Sequence, residues 1–93
     1  MKSHEMLIDR VLEDGFTVSV HDGEEWSLKR SVFKPEILRE IQQVDCCKLV
    51  FRRGEEKHWA FVVLDGDDPE TVADYGDCEY MNRVFDEIDK WFE

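Results

Sequence analysis

Three features of the sequence predict a small α+β domain of order α-β-β-α-β-β-α, with a four-stranded antiparallel sheet and helices packed mainly on one face. Apolar residues recur at helical spacing in three segments, two stretches between them alternate apolar with polar residues, and each alternating stretch is broken by a Gly-containing turn. At 93 residues the chain can build one hydrophobic core but not two, so residues 1–93 read as a single acidic domain.

The first helix is expected over roughly residues 4 to 14. Ser3 can cap it, Leu7, Ile8, Val11 and Leu12 form its apolar face, and Gly15 supplies a left-handed stop. The period then changes to two. Phe16, Val18 and Val20 alternate with Thr17, Ser19 and His21, Asp22-Gly23 marks a turn, and Trp26 and Leu28 alternate with Ser27 and Lys29, which makes a hairpin. A second helix runs from about Pro35 to Val44, with Pro35 in its first turn and Ile37, Leu38, Ile41 and Val44 on one face.

Cys47, Leu49 and Phe51 begin a second hairpin, which turns at Arg53-Gly54-Glu55-Glu56 and continues through Trp59, Phe61 and Val63. Val50, Ala60, Val62 and Leu64 are expected on the opposite face, which reads first as the second side of a central strand partly covered on both faces and otherwise as a surface for a homodimer or a partner. Residues 65–77, rich in Asp and Gly with Pro69, read as loop. Asp77 can cap a last helix whose core stripe is Val84, Phe85, Ile88 and Trp91.

The net charge is −11, from 23 acidic and 12 basic residues, and it is unevenly spread. Residues 58–93 hold eleven acids and two bases, whereas residues 29–57 hold five acids and eight bases. This balance disfavours direct binding to nucleic acid or to an anionic membrane and favours a basic protein partner. On the last helix Glu79, Asn82, Asp86, Asp89 and Glu93 follow each other at spacings of three and four, which places them on one solvent-facing stripe.

Motifs for chemistry are sparse. The loop from Asp65 fails as an EF-hand, because Pro69, Glu70 and Gly76 stand where the acidic or Asn ligand, Gly and Glu are required, so no metal or cofactor is expected. No phosphate-binding loop, HExxH or GxSxG occurs, and no catalytic residues are assigned. His4, His21 and His58 are scattered and read as surface or strand-pairing residues. Three cysteines, two adjacent, fit a reducing cytoplasm better than a disulfide framework. Cys78 is the best nucleophile candidate, in the first turn of a helix, but Asp74, Asp77 and Glu79 beside it oppose a thiolate. The bases Lys29, Arg30, Lys34, Arg39, Lys48, Arg52, Arg53 and Lys57 could gather near Trp26 and Trp59, though pairing with neighbouring acids is the more economical reading.

The segment Gly15-Phe16-Thr17-Val18-Ser19-Val20, with Asp22-Gly23-Glu24-Glu25-Trp26, Leu28-Lys29-Arg30-Ser31 and the later Val72-Ala73-Asp74-Tyr75, resembles small acidic accessory proteins of phages and mobile elements. In composition the chain is also similar to acidic phage inhibitors, including DNA mimics and some anti-CRISPR proteins. That resemblance implies a non-enzymatic inhibitor that occupies a basic surface, such as that of a nucleic-acid-binding host defence protein. The residues expected to carry it are Asp67, Asp68, Glu70, Asp74, Asp86, Asp89 and Glu93. Two other readings stand beside it: an accessory domain that associates through the outer sheet face, and a thiol-dependent enzyme that uses Cys78.

Overall fold

Helices α1 (Ser3–Glu13), α2 (Lys34–Gln42) and α3 (Glu79–Asp89) cover one face of a sheet built from β1 (Thr17–His21), β2 (Trp26–Ser31), β3 (Cys46–Arg53), β4 (Glu56–Val63) and β5 (Val72–Tyr75). This is a computed structural model, and it describes residues 2–64 and 66–92. The strands are ordered β2-β1-β3-β4-β5 and all neighbours are antiparallel. The α+β class and the three helices are as expected, but the sheet has five strands instead of four.

The fifth strand lies in the segment read as loop, and its concealment has a local cause. Val62 pairs with Val72 and Phe61 with Asp74, so Ala73 is an extra residue in the ladder. That bulge puts Val72 and Tyr75 on the same face and removes the period-two alternation by which a strand is recognised. β2 carries a similar irregularity. Arg30 adopts a left-handed φ of 51°, and its N–H leaves the ladder to bond the Ser19 hydroxyl at 2.9 Å.

α1 ends where Gly15 takes a φ of 91°, which lets the Phe16 N–H reach the Val11 carbonyl at 2.9 Å. Its beginning differs from expectation. Lys2 occupies the capping position and Ser3 is the first helical residue, its hydroxyl turned inward to accept from the backbone N–H groups of Thr71 and Val72 at 2.8 and 3.1 Å. With the Ser3 N–H donating to the Pro69 carbonyl and His4 meeting the Thr71 hydroxyl, a buried polar latch fastens the start of α1 to the segment entering β5.

The core is a single cluster. Leu7, Ile8 and Val11 of α1, Ile37 and Ile41 of α2, and Met81, Val84, Phe85 and Ile88 of α3 pack onto Val18, Val20, Cys47, Leu49, Phe51, Ala60 and Val62 of the sheet. The hairpin register corrects an expectation about its two faces. A two-residue turn at Gly54-Glu55 pairs Arg53 with Glu56, so Phe51 faces His58, and Val50 faces Trp59. Phe51, Ala60 and Val62 therefore share the core face, and Val50, Trp59 and Phe61 share the outer one.

Two further corrections concern α3. Cys78, not Asp77, is its N-cap, with the thiol accepting from the Met81 N–H at 3.5 Å. The α-helix stops at Asp89 and continues as a 3₁₀ turn over Lys90–Phe92. Trp91 is consequently 76 % exposed and is not part of the core stripe that Val84, Phe85 and Ile88 complete.

Candidate functional site

The β5 edge of the sheet and the outer side of α3 form an acidic surface centred on Tyr75. Inward packing fixes Tyr75: its ring stacks on Phe85 of α3 at 4.0 Å between centroids and 9° between planes. Its phenol is raised above the ordinary value by partial burial and then by the negative charges of Asp89, Asp86, Asp77 and Asp74. Of these four carboxylates two stand on α3, Asp74 lies in β5, and Asp77 lies in the link between them. Glu70 joins them at a cleft of about 130 Å³ that it lines with Ser3, Val72, Tyr75 and Asp89.

Of the residues expected to bind a partner, Glu70 and Asp89 share the cleft beside Tyr75, Asp86 stands on the same exposed stripe of α3 as Asp89, and Asp74 faces outward from the β5 edge opposite Phe61, its carboxylate accepting from the Tyr75 N–H at 2.9 Å. Asp74 reaches the group because β5 is a strand, and Asp77, left out of the expected set, belongs with it. Asp67 and Asp68 sit in the exposed turn ahead of Glu70, where Asp68 accepts from the Glu70 N–H at 2.9 Å. Glu93 lies outside the described residues. The helical stripe is exposed as expected at Glu79, Asn82, Asp86 and Asp89.

Among the described residues, the ion pairs are Arg10 with Asp14 and Glu87, Lys34 with Asp9, Arg53 with Glu56, and His58 with Glu56. The carboxylates around Tyr75 have no part in them. A gathering of like charges without counter-charges destabilises the isolated fold by self-repulsion, a strain that a cationic partner relieves.

The outer face of the sheet is different in kind. Among the described elements no helix covers it. Across it lie Trp26, His21, Lys48, Phe61 and Asp74 in one row and Ser19, Val50 and Trp59 in the next. The Lys48 ammonium stands 5.5 Å from the Trp59 ring centre, and Ser19, Trp26, Lys29, Arg30 and Arg52 border a cleft of about 180 Å³. Of the eight bases expected near Trp26 and Trp59, Lys29, Arg30 and Arg52 stand with Trp26 and Lys48 with Trp59, whereas Lys34 and Arg53 pair elsewhere with Asp9 and Glu56. Val50 is buried in spite of facing this way.

The fold also joins two residues that had no visible relation in the chain. Cys78 Sγ lies 3.3 Å from Nδ1 of His58, on the core side of β4. The signal for this was the two-residue turn at Gly54-Glu55, which sets the parity of β4 and turns His58 inward beside Phe51. Cys46 is exposed and Cys47 is buried in the core, where burial pushes its thiol up to about 11. The described residues contain no group of three or more His, Cys, Asp or Glu side chains arranged to hold a metal ion, and no described helix is long and apolar enough to cross a membrane.

No family model matches this chain, and comparisons with curated proteins and with solved structures return no match. The functional reading therefore rests on the molecule's own geometry.

Proposed function

We propose that this protein is a non-enzymatic interaction protein of the cytoplasm whose acidic β5–α3 surface docks onto a basic surface of a partner. The observation that carries this reading is the run of carboxylates along β5, the link after it and the exposed side of α3, Asp74, Asp77, Asp86 and Asp89, without a described basic side chain paired to any of them. A partner that normally holds nucleic acid offers the matching chemistry, because its channel presents closely spaced Lys and Arg side chains to a line of negative charge. The acidic surface would occupy such a channel as a competitor of the nucleic acid, in keeping with the resemblance to DNA-mimic inhibitors.

The test is to replace Asp74, Asp86 and Asp89 by Asn, which leaves the apolar face of α3 intact, and to compare association with the partner recovered by pull-down. At low salt the variant is expected to associate about ten-fold or more slowly, with a shallower salt dependence. Equal association rates would show the surface to be merely solvated.

A second reading is favoured by Trp26 and Phe61, which remain 40 % and 37 % exposed on the uncovered sheet face. Association through that face, with a second copy or another chain, would persist at high salt and weaken in Phe61→Ser.

A further inference from the structure

From the tip of the β3–β4 hairpin to the N-terminus of α3, four polar side chains run in a line. Arg53 Nη2 donates to Glu56 Oε1 at 2.8 Å, His58 Nε2 lies 2.7 Å from Glu56 Oε2, and His58 Nδ1 lies 3.3 Å from Cys78 Sγ. The helix supplies the last contact, the Met81 N–H directed at the same sulfur. They form a chain and not a ring around a common point, which suits proton transfer and not metal binding.

The partners settle where the hydrogens lie. Glu56 is held below the ordinary carboxylate range by its bonds from His58 and Arg53, so it is ionised and can only accept. His58 must then carry its proton on Nε2, which leaves the Nδ1 lone pair facing the thiol. The Sγ–H donates to Nδ1 while Sγ accepts from Met81. The ring is held in this attitude by Tyr80, stacked at 5.1 Å and 18°, and by Phe16 at 5.5 Å. Tyr80 is itself anchored, its hydroxyl donating to Asp14 at 2.7 Å.

We propose that Cys78 is a histidine-activated thiol that reacts with small electrophiles, a hydroperoxide first among them, and is converted to a sulfenic acid. The Sγ–H proton passes to His58 Nδ1, and the thiolate attacks one peroxide oxygen. An S–O bond forms as the O–O bond breaks. The departing oxygen takes the proton back from the imidazolium and leaves as water or an alcohol, so sulfur is oxidised by two electrons and the peroxide is reduced by two.

Acids near Cys78 do not defeat this step. Moving a proton from Sγ to Nδ1 creates a thiolate and an imidazolium together, and the carboxylates that oppose the first favour the second, Glu56 most directly. The helix N-terminus adds its N–H and dipole to the sulfur side. A small reagent is indicated because Cys78 is half-buried and lines neither of the clefts described above. An intrachain disulfide is not the product. Phe51 is the β3 partner of His58, and Cys47 stands four residues further along that strand, about 13 Å away.

The exposed Cys46 is the internal control. The native chain is treated with hydrogen peroxide and a dimedone-type trap, and labelling of each cysteine is followed by mass spectrometry. Cys78 is expected to be labelled about ten-fold or more faster than Cys46 despite its lower exposure, and His58→Gln should abolish most of that advantage. Should His58→Gln fail to fold, Glu56→Gln at the exposed hairpin tip reads the same relay, with an expected loss of roughly three-fold or more. Labelling of Cys78 no faster than Cys46, or an advantage unchanged in a folded variant of either residue, would overturn the proposal.

Discussion

The two faces of the β3–β4 hairpin are made by alternate residues of the same eight-residue strands, yet they do different work. On the inner face Cys47, Leu49, Phe51, Ala60 and Val62 lie at or below 2 % exposure under the helices. On the outer face Lys48, Arg52 and Lys57 alternate with Val50, Trp59 and Phe61, covered by neighbouring side chains such as Lys48 over Trp59 and by the Gly76 backbone against the Trp59 ring. Free energy of folding is concentrated on one side, which leaves the other free to vary in composition. A similar contrast separates the middle of the sheet from its β5 edge: β3 and β4 pair residue for residue over eight positions, while β5 offers four residues with a bulge and is fastened in addition by the Ser3 hydroxyl.

Substitution of matched residues breaks that comparison most severely. Phe51→Ala empties a fully buried site in the core cluster, and is expected to cost about 3 to 5 kcal/mol. Trp26→Ala, on the outer face with 40 % of the residue exposed and its ring edge-on to His21, should cost less than about 1 kcal/mol. Urea denaturation of both variants measures the contrast. Similar losses would mean that the outer face is not the bare surface described.

These same residues show how much could be read from the chain. Helices announced themselves because Leu7, Ile8 and Val11, or Val84, Phe85 and Ile88, repeat at the period of a helix that buries one side. The hairpins were legible for the corresponding reason. What escaped was set by single-residue insertions and by distance along the chain. Ala73 hid β5, one residue of turn length exchanged the faces of β4, and the meeting of His58 with Cys78 depends on that parity. The acidic surface was half legible: the α3 stripe follows from spacing, but its union with Asp74 needs the strand.

The latch that holds β5 is the next test, of intermediate size. The Ser3 hydroxyl accepts two backbone N–H groups, which uses both lone pairs, so its hydrogen goes to Thr71 Oγ1 at 3.2 Å. Thr71 Oγ1 also accepts from the His4 N–H at 3.0 Å, and its own hydrogen is left for His4 Nδ1 at 2.7 Å. His4 is therefore neutral, and Thr71→Val should cost about 1 to 3 kcal/mol by leaving buried polar atoms without partners. Burial lowers the His4 imidazole below its ordinary 6.5, with Glu5 opposing and Lys2 assisting. Since the unfolded chain takes up the proton first, this stabilisation is complete above about pH 6.5 and is lost as the pH falls below it. Melting curves between neutral and mildly acid pH should show that loss in the native chain and a smaller one in His4→Gln.

The smallest expected effect is at Trp91, and it discriminates between two descriptions of the same helix. If α3 continued unbroken to the end of the chain, Trp91 would follow Val84 and Ile88 on the core stripe, and Trp91→Ala would cost as much as the loss of a large buried aromatic, about 3 to 5 kcal/mol. The helix instead tightens into a 3₁₀ turn after Asp89, and Trp91 stands at the rim of a groove shared with Met6, Arg10, Val84 and Glu87, mostly in solvent. Truncation there removes little buried surface and should lower stability by no more than about 0.5 kcal/mol. Thermal unfolding of Trp91→Ala decides the matter: a midpoint within a degree or two of the native value fits the 3₁₀ ending, whereas a loss of many degrees would restore Trp91 to the core and require α3 to run on past Asp89.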